Sequence, residues 1–299
     1  MSATTTTPDS APVYAIEARG VRKAFGKTVA LDNLELRVAE GRIVGLIGPN
    51  GAGKTTALKA ILGLTPYEGE LRVLGRNPYL ERNAVMQEVC FIADVAVLPP
   101  WLKVSQALDF VGGVHPRFDR AKAEAFLAKT NIPRDSRVHK LSKGMITQLH
   151  LALVMAIDAR LLVLDEPTLG LDILYRKAFY DTLLNDYFDH NRTILVTTHQ
   201  VEEIQHVLTD VMFINKGRLV LDCSMEDFES RYVEVLVRPE QTAAARALKP
   251  LHERQVFGRS VFLFDRPDRD KISGLGEART PSIADLFVAM IGGQQGAAA

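Results

Sequence analysis

Short apolar runs recur along the chain and alternate with segments of helical periodicity. Five runs are strand-like: Val13–Ala18, Ile43–Ile47, Leu161–Leu164, Thr193–Thr197 and Val211–Asn215. Strands that alternate with helices in this way are typical of a largely parallel sheet flanked by helices. The hydrophobic pattern therefore predicts an α/β core.

Between residues 99 and 140 the pattern changes to helical periodicity. Val104 and Leu108 recur at the spacing of one helix face, and Asp119 is in the position of an N-cap for a second helix. We therefore predict a helical insertion, a subdomain of about residues 99–158, within the α/β core.

The last quarter of the chain has an alternation of its own. Val233–Val237 and Val256–Phe264 are strand-like, and Ser282 opens a capping-box pattern before a last helix. We predict a small α+β appendage over residues 225–299, which leaves residues 13–224 as the main domain.

Composition narrows the possible partners. The 36 Lys and Arg residues balance 36 Asp and Glu residues, and no basic block is present, so nucleic acid is not a predicted partner.

Residues 1–12 resemble no secretory signal and are predicted to be a disordered tail. No run approaches the roughly 20 apolar residues that cross a bilayer, so we expect a soluble chain. Cys90 and Cys223 are predicted to be reduced thiols.

A glycine-rich run directly after the apolar run Ile43–Ile47 indicates nucleotide binding. It consists of Gly48, Pro49, Asn50, Gly51, Ala52, Gly53, Lys54, Thr55 and Thr56, and it matches G-x-x-x-x-G-K-[ST]. Glycines let several backbone N–H groups turn inward, and the following helix N-terminus attracts an anion. We predict that Lys54 reaches the β- and γ-phosphates, that the Thr55 hydroxyl binds Mg²⁺, and that Thr56 donates to phosphate. A chance glycine-rich turn is the alternative.

Three further polar residues follow predicted strands. Asp165 and Glu166 come after Leu161–Leu164, and His199 comes after Thr193–Thr197. Parallel strands deliver their carboxyl ends to the sheet edge that carries the phosphate loop. Asp165 can then hold Mg²⁺, Glu166 can accept the proton of an attacking water, and His199 can donate to a γ-phosphate oxygen.

The segment Leu141-Ser142-Lys143-Gly144-Met145 completes a set of motifs in a characteristic order. Over about residues 13–222 the chain resembles the ATPase subunit of ATP-binding cassette (ABC) transporters. The resemblance includes Phe25 at the adenine-stacking position, the Gly48–Thr56 Walker A loop, Asp94, the Ser142 signature, the Asp165-Glu166 Walker B motif, the Asp172 D-loop and the His199 switch histidine.

This resemblance implies a P-loop NTPase core with a mostly parallel sheet, an antiparallel β edge, the helical insertion and the appendage. It implies ATP hydrolysis with ATP and Mg²⁺ as cofactors, and Glu166, His199 and Lys54 as the catalytic residues. In this family two cassettes form a head-to-tail sandwich around ATP. Ser142, Gly144 and Asp172 would therefore contact ATP held by a second chain, either a copy or a close paralogue.

The resemblance also implies a membrane partner. In this family the ATPase drives a separate polytopic permease from the cytoplasmic, inner face of the cell membrane. The signature differs from the common form LSGGQ of the family, because Lys143 replaces a glycine and Met145 replaces the glutamine. This form of the signature and the stretch His115–Asp119 are similar to those of bacterial cassettes that serve exporter-type permeases. The apolar segment Leu98–Leu102 lies where the family docks the permease, but Trp101 could equally pack into the core of the insertion.

Asp94 departs from the family pattern, because the family normally has glutamine or glutamate at this position. The resemblance implies that Asp94 contacts Mg²⁺ or the attacking water, which its shorter carboxylate would do through a bridging water, and the alternative is a surface residue beside the true position. Two other functions stay open: a soluble ABC-type ATPase that acts on DNA or ribosomes, and a nucleotide-dependent regulator that does not pump. The neutral charge and the single Walker A motif oppose the first of these.

Overall fold

The computed structural model describes residues 12–92, 98–169, 173–189, 191–199 and 201–295. The strands within these ranges are β1 (Tyr14–Phe25), β2 (Thr28–Ala39), β3 (Ile43–Ile47), β4 (Glu68–Val73), β5 (Val89–Ile92), β6 (Leu161–Asp165), β7 (Thr193–Thr198), β8 (Asp210–Asn215), β9 (Arg218–Ser224), β10 (Tyr232–Val237), β11 (His252–Val256), β12 (Arg259–Asp265) and β13 (Gly276–Arg279).

The α-helices are α1 (Lys54–Ile61), α2 (Arg82–Met86), α3 (Val104–Val114), α4 (Arg120–Ala128), α5 (Lys143–Met155), α6 (Ile173–Thr182), α7 (Met225–Arg231), α8 (Thr242–Ala247), α9 (Arg269–Ser273) and α10 (Ile283–Gln295). A π-helical turn, Leu183–Tyr187, continues α6, and a 3-10 turn, Val201–Glu203, follows β7.

The central sheet has six strands in the order β5-β6-β7-β3-β8-β9. Its strands are parallel except for the last pair, in which β9 runs antiparallel to β8. Both faces of β3 are buried: Ile43 and Ile47 pack in one apolar cluster, and Val44 and Leu46 pack in another on the opposite face. Burial on both faces explains why this strand is a continuous apolar run without alternation.

A second sheet has the order β2-β1-β4 and is antiparallel throughout. Strand β1 continues seven residues beyond the predicted run that ended at Ala18, and it reaches Phe25. The sheet packs on α1 and on the β3 side of the central sheet through Leu36, Leu46 and Leu58. An α/β fold with a mostly parallel sheet and antiparallel edges is therefore confirmed.

The helices α3, α4 and α5 surround an apolar cluster of their own, which includes Val104, Leu108 and Leu149. Asp119 caps α4 as predicted, because its side chain accepts hydrogen bonds from the backbone N–H groups of Ala121 and Lys122. Trp101 does not pack into this cluster, since 66% of its surface is exposed.

The C-terminal segment contains an antiparallel sheet in the order β11-β12-β10-β13. The predicted single strand Val256–Phe264 is wrong: Phe257 and Gly258 have φ values of 48° and 77°, and they turn the chain between β11 and β12. One face of this sheet has a small core, whereas Phe228, Leu263 and Leu286 belong to the large cluster of the central sheet. The segment therefore shares a hydrophobic core with the rest of the chain.

Candidate nucleotide-binding site

The predicted phosphate loop lies between β3 and α1. Gly51 and Gly53 have φ values of 80° and 110°, a conformation that side chains with a Cβ rarely adopt. At Gly48 a Cβ atom would lie 2.5 Å from the carbonyl oxygen of Ile214. The glycines therefore allow a tight turn directly before the helix N-terminus, where backbone N–H groups are available to an anion.

Lys54 is the first residue of α1, and its side chain is turned back into the loop. Its Nζ donates to the Gly48 carbonyl oxygen at 2.6 Å and lies 3.9 Å from Oε1 of Glu166. Burial lowers the pKa of Lys54, and the charges of Glu166 and Asp165 partly oppose that effect. The ammonium is therefore buried with only a distant carboxylate to balance its charge.

Asp165 ends β6 and is held by two hydroxyl groups. Thr197 Oγ1 donates to Oδ1 at 2.6 Å, and Thr55 Oγ1 donates to Oδ2 at 3.2 Å. Thr197 was not predicted, because it reaches Asp165 only through the parallel register that places the two residues side by side. The hydroxyl of Thr55 and the carboxylate of Asp165 form a hard oxygen donor pair. Mg²⁺ prefers such a pair, usually together with waters and substrate phosphates.

Glu166 follows directly and contacts His199. The Nδ1 atom of His199 lies 2.9 Å from Glu166 Oε2, and the backbone N–H of His199 donates to the same oxygen at 3.3 Å. The backbone of Glu166 has a φ of 48°, a left-handed conformation that is costly for a non-glycine residue. Its N–H donates to the Thr197 carbonyl oxygen at 3.0 Å, which helps to hold this conformation.

These groups line one cleft of about 620 Å³. Its walls are Phe25, Ala30, Pro49, Asn50, Gly51, Ala52, Gly53, Lys54, Thr55, Thr56, Asp165, Glu166, Leu169 and His199. Phe25 is half-exposed at the wall, and the Nζ atom of Lys23 lies 5.0 Å from its ring centroid. The cleft thus brings together the predicted Walker A residues from Pro49 to Thr56, both Walker B residues, Phe25 and His199, whereas Gly48 does not line it. Ala30, Leu169 and Lys23 were not predicted.

The predicted signature residues lie elsewhere. Ser142 is the N-cap of α5, and its Oγ accepts from the backbone N–H of Met145 at 3.2 Å. Gly144 is buried in the first turn of the same helix. Within the described part of the chain, neither residue lines the cleft. Asp94 and Asp172 lie outside the described residues.

Across the described ranges, we find no helix with the length and apolar character needed to cross a bilayer. Within these ranges α5 and α10 have 13 residues each, and about 20 residues are required to span the hydrocarbon core.

Comparison with known proteins identifies the family to which the chain belongs. The ABC transporter family matches residues 31–169, a span that includes the phosphate loop, the signature segment and Glu166. A daunorubicin resistance ATP-binding protein of Streptomyces coeruleorubidus is 32% identical over 248 residues, which cover 79% of this chain and 78% of that protein. A Nod factor export ATP-binding protein I of Cupriavidus metallidurans is 31% identical over 295 residues, which cover 93% of this chain and 97% of that protein.

Solved structures agree on the fold. The ATP-binding subunit of an ABC transporter superimposes with a TM-score of 0.63 at 22% identity, over 72% of this chain and 92% of that chain. A nucleotide-free ATP-binding cassette gives a TM-score of 0.62 at 18% identity. The chain belongs to the ATP-binding proteins of ABC transporters, the subunits that bind and hydrolyse ATP.

Proposed function

We propose that this chain is the ATPase of an exporter. In this proposal two cassettes, either two copies or a copy and a close paralogue, close around MgATP and drive a separate membrane permease from the inner face of the cell membrane. Residues 13–224 act as the ATPase domain, with a helical subdomain at about 99–158, and residues 225–299 act as an appendage.

One observation carries the catalytic part of the proposal: an ammonium, a hard oxygen pair and a carboxylate–imidazole pair converge in a single cleft. Lys54 is held by the Gly48 carbonyl oxygen, and it can exchange that contact for phosphate oxygens. Phe25 offers an exposed ring face on which an adenine can stack. Together with the N–H groups of the loop, these contacts orient the triphosphate.

The residues after β6 and β7 suit hydrolysis. The Glu166 carboxylate accepts the proton of a water that attacks the γ-phosphorus, and the products are ADP and inorganic phosphate. His199 contacts the same carboxylate and can donate to a γ-phosphate oxygen. Thr55 and Asp165 would hold Mg²⁺, which, when bound, neutralises charge on the phosphates.

The place of the signature supports a paired arrangement. Ser142 is exposed and lies at the N-terminus of α5, where the helix dipole and backbone N–H groups favour an anion. This helix start does not line the chain's own cleft, which fits the arrangement of the family, in which the signature faces the γ-phosphate held by a second cassette. Gly144 and Asp172 would complete that contact, and each site would need two chains.

The transport part rests on the relatives and on one surface residue. The relatives named above are ATP-binding proteins of drug resistance and Nod factor export, and none of these names favours a role outside transport. Trp101 lies 66% exposed beside the buried Leu102, and a large exposed aromatic side chain is typical of a protein contact. A cytoplasmic helix of the permease would cover it.

The variant Glu166→Gln tests this proposal. It keeps the size of the side chain and removes the base, so ATP binding should persist while phosphate release falls by about 10²–10⁴-fold. Glu202→Gln, at an exposed glutamate in the turn after β7, is the matched control and should hydrolyse ATP normally.

The same Glu166→Gln chain, tagged and extracted from source membranes with MgATP, should recover a polytopic membrane protein in near-equal amount. Normal phosphate release would contradict the assignment of Glu166. Recovery of the chain alone, or with nucleic-acid machinery, would contradict the transport role.

A further inference from the structure

Glu166 and His199 both line the cleft, and the segments that follow them meet at residues that do not line it. After His199 the chain forms the 3-10 turn Val201–Glu203, and after Glu166 it leads towards α6. The meeting point is an ion pair in which Arg176 of α6 donates to Oε1 of Glu203. Neither residue lines the cleft in the described structure.

The pair is largely withdrawn from water. The side chains of Arg176 and Glu203 are 21% and 25% exposed, and Oε2 of Glu203 is buried without a hydrogen-bond partner among the described residues. A charged pair in such surroundings attracts more strongly than a pair on the surface, and removal of the guanidinium would leave the Glu203 carboxylate without this cation. The turn is therefore held firmly to the helix.

One helical turn further along α6, a second contact leads back to the cleft. The hydroxyl of Tyr180 lies 3.3 Å from Oγ1 of Thr168, and both residues are buried. Thr168 is two residues beyond Glu166. Burial raises the pKa of Tyr180, so its hydroxyl stays protonated, and either hydroxyl can donate in this hydrogen bond.

These contacts close a ring. From Glu166 the chain runs to Thr168, which contacts Tyr180 on α6. On the same helix Arg176 binds Glu203, and Glu203 follows His199, which contacts Glu166 again at 2.9 Å. A displacement of the turn away from α6 would therefore move the imidazole relative to the carboxylate.

We propose that Arg176 and Glu203 are a positioning pair that sets the His199–Glu166 contact for hydrolysis. The proposal rests on the function proposed above. Neither residue lines the cleft in the described structure, so the pair influences the rate of the chemical step and leaves nucleotide binding by Lys54 and the loop intact. A misplacement of about 1 Å at a reacting group can cost roughly 100-fold in rate.

A double-mutant cycle tests this inference. The cycle consists of Arg176→Met, Glu203→Gln and the double variant. We compare the kcat of ATP hydrolysis of each variant with that of the wild type, and we measure the affinity and stoichiometry with which each binds a fluorescent ATP analogue. We expect each single variant to lose roughly tenfold or more in kcat with unchanged affinity and stoichiometry. The double variant should be no slower than the slower single variant, because the effects of residues that act through each other are not additive.

Arg246→Met, which breaks the exposed pair with Glu253 in the C-terminal segment, is the matched control and should keep the wild-type kcat.

Unchanged kcat in the single variants would overturn the inference. Losses that multiply in the double variant would show two independent residues and would also overturn it. A parallel fall in ATP-binding stoichiometry would indicate misfolded protein and a purely structural pair. If the wild-type chain itself releases no phosphate, the proposed function fails, and that outcome is distinct from all three.

Discussion

The carboxylates of Glu166 in the cleft and of Glu234 in β10 are both largely shielded from water, but their surroundings are opposite. Glu234 is 2% exposed, and Arg254 and Arg279 each donate to one of its oxygens at 2.6 Å. Glu166 is 14% exposed, and its nearest ammonium, that of Lys54, lies 3.9 Å away.

The difference shows what each region is built to do. The chain itself neutralises Glu234, so this residue has no capacity left for a ligand and serves to join β10, β11 and β13. The cleft holds a buried ammonium and two carboxylates without close charge pairing, an arrangement that costs stability and is common where charged substrates bind. The two regions should therefore respond to mutation in opposite ways.

The largest expected effect is in the cleft. Lys54→Met removes the ammonium that would contact two phosphates, so ATP affinity should fall by about 100-fold or more. Burial of the Lys54 ammonium costs about as much free energy as its contacts contribute. Its removal should therefore change the free energy of unfolding by less than about 1 kcal/mol. Equilibrium binding of ATP and urea unfolding of the same preparation measure both quantities. A large loss of folding stability would remove the contrast with Glu234.

The second effect is in the C-terminal segment. Glu234→Gln leaves Arg254 and Arg279 facing a neutral amide, and we expect a loss of about 1–3 kcal/mol in the free energy of unfolding. ATP hydrolysis by the folded fraction should be unchanged. Glu253→Gln, in an exposed pair with Arg246, is the control and should unfold like the wild type. Lost hydrolysis at full stability would show that Glu234 is not a structural residue.

The smallest effect depends on pH. Arg231 donates to both oxygens of Asp265 at 2.6 and 2.7 Å and holds the pKa of that carboxyl below its usual 3.8. Above pH 3.8 the carboxyl is ionised in both the folded and the unfolded chain, so the pair contributes fully. Below this pH the unfolded chain takes up the proton first, and the contribution is lost as the pH falls through the folded pKa.

Asp265→Asn should therefore cost about 1 kcal/mol at pH 7, and its difference from the wild type should shrink below pH 3.8. Urea unfolding of both proteins from pH 7 to pH 3 measures this change. A difference that is constant over the whole range would exclude the ion pair as its cause.

Local patterns predicted the parts of the molecule that depend on local physics. The strand Ile43–Ile47 has the predicted bounds because a strand buried on both faces has an unbroken apolar run. The cap at Asp119 and the phosphate loop follow from short-range hydrogen bonding and from glycine conformations. The resemblance to the family then supplied the roles of residues far apart in the chain.

What could not be predicted depends on tertiary pairing. Thr197 contacts Asp165 only because β6 and β7 pair in one register. Gly258 alone marks the turn between β11 and β12 in the sequence, since the preceding Phe257 is not a residue that favours a left-handed backbone. Whether Trp101 packs inside or faces outward could not be decided from an apolar segment, and the structure shows it exposed.

The position of β3 in the sheet has a consequence for synthesis. Ile43 pairs with Ile194, and Ile47 pairs with Phe213, so both neighbours of this strand are translated long after it. Until they leave the ribosome, the nascent chain has an apolar strand with two open edges, a species prone to aggregation and slow to fold. The phosphate loop at the end of β3 is therefore translated well before the two strands that complete the sheet around it.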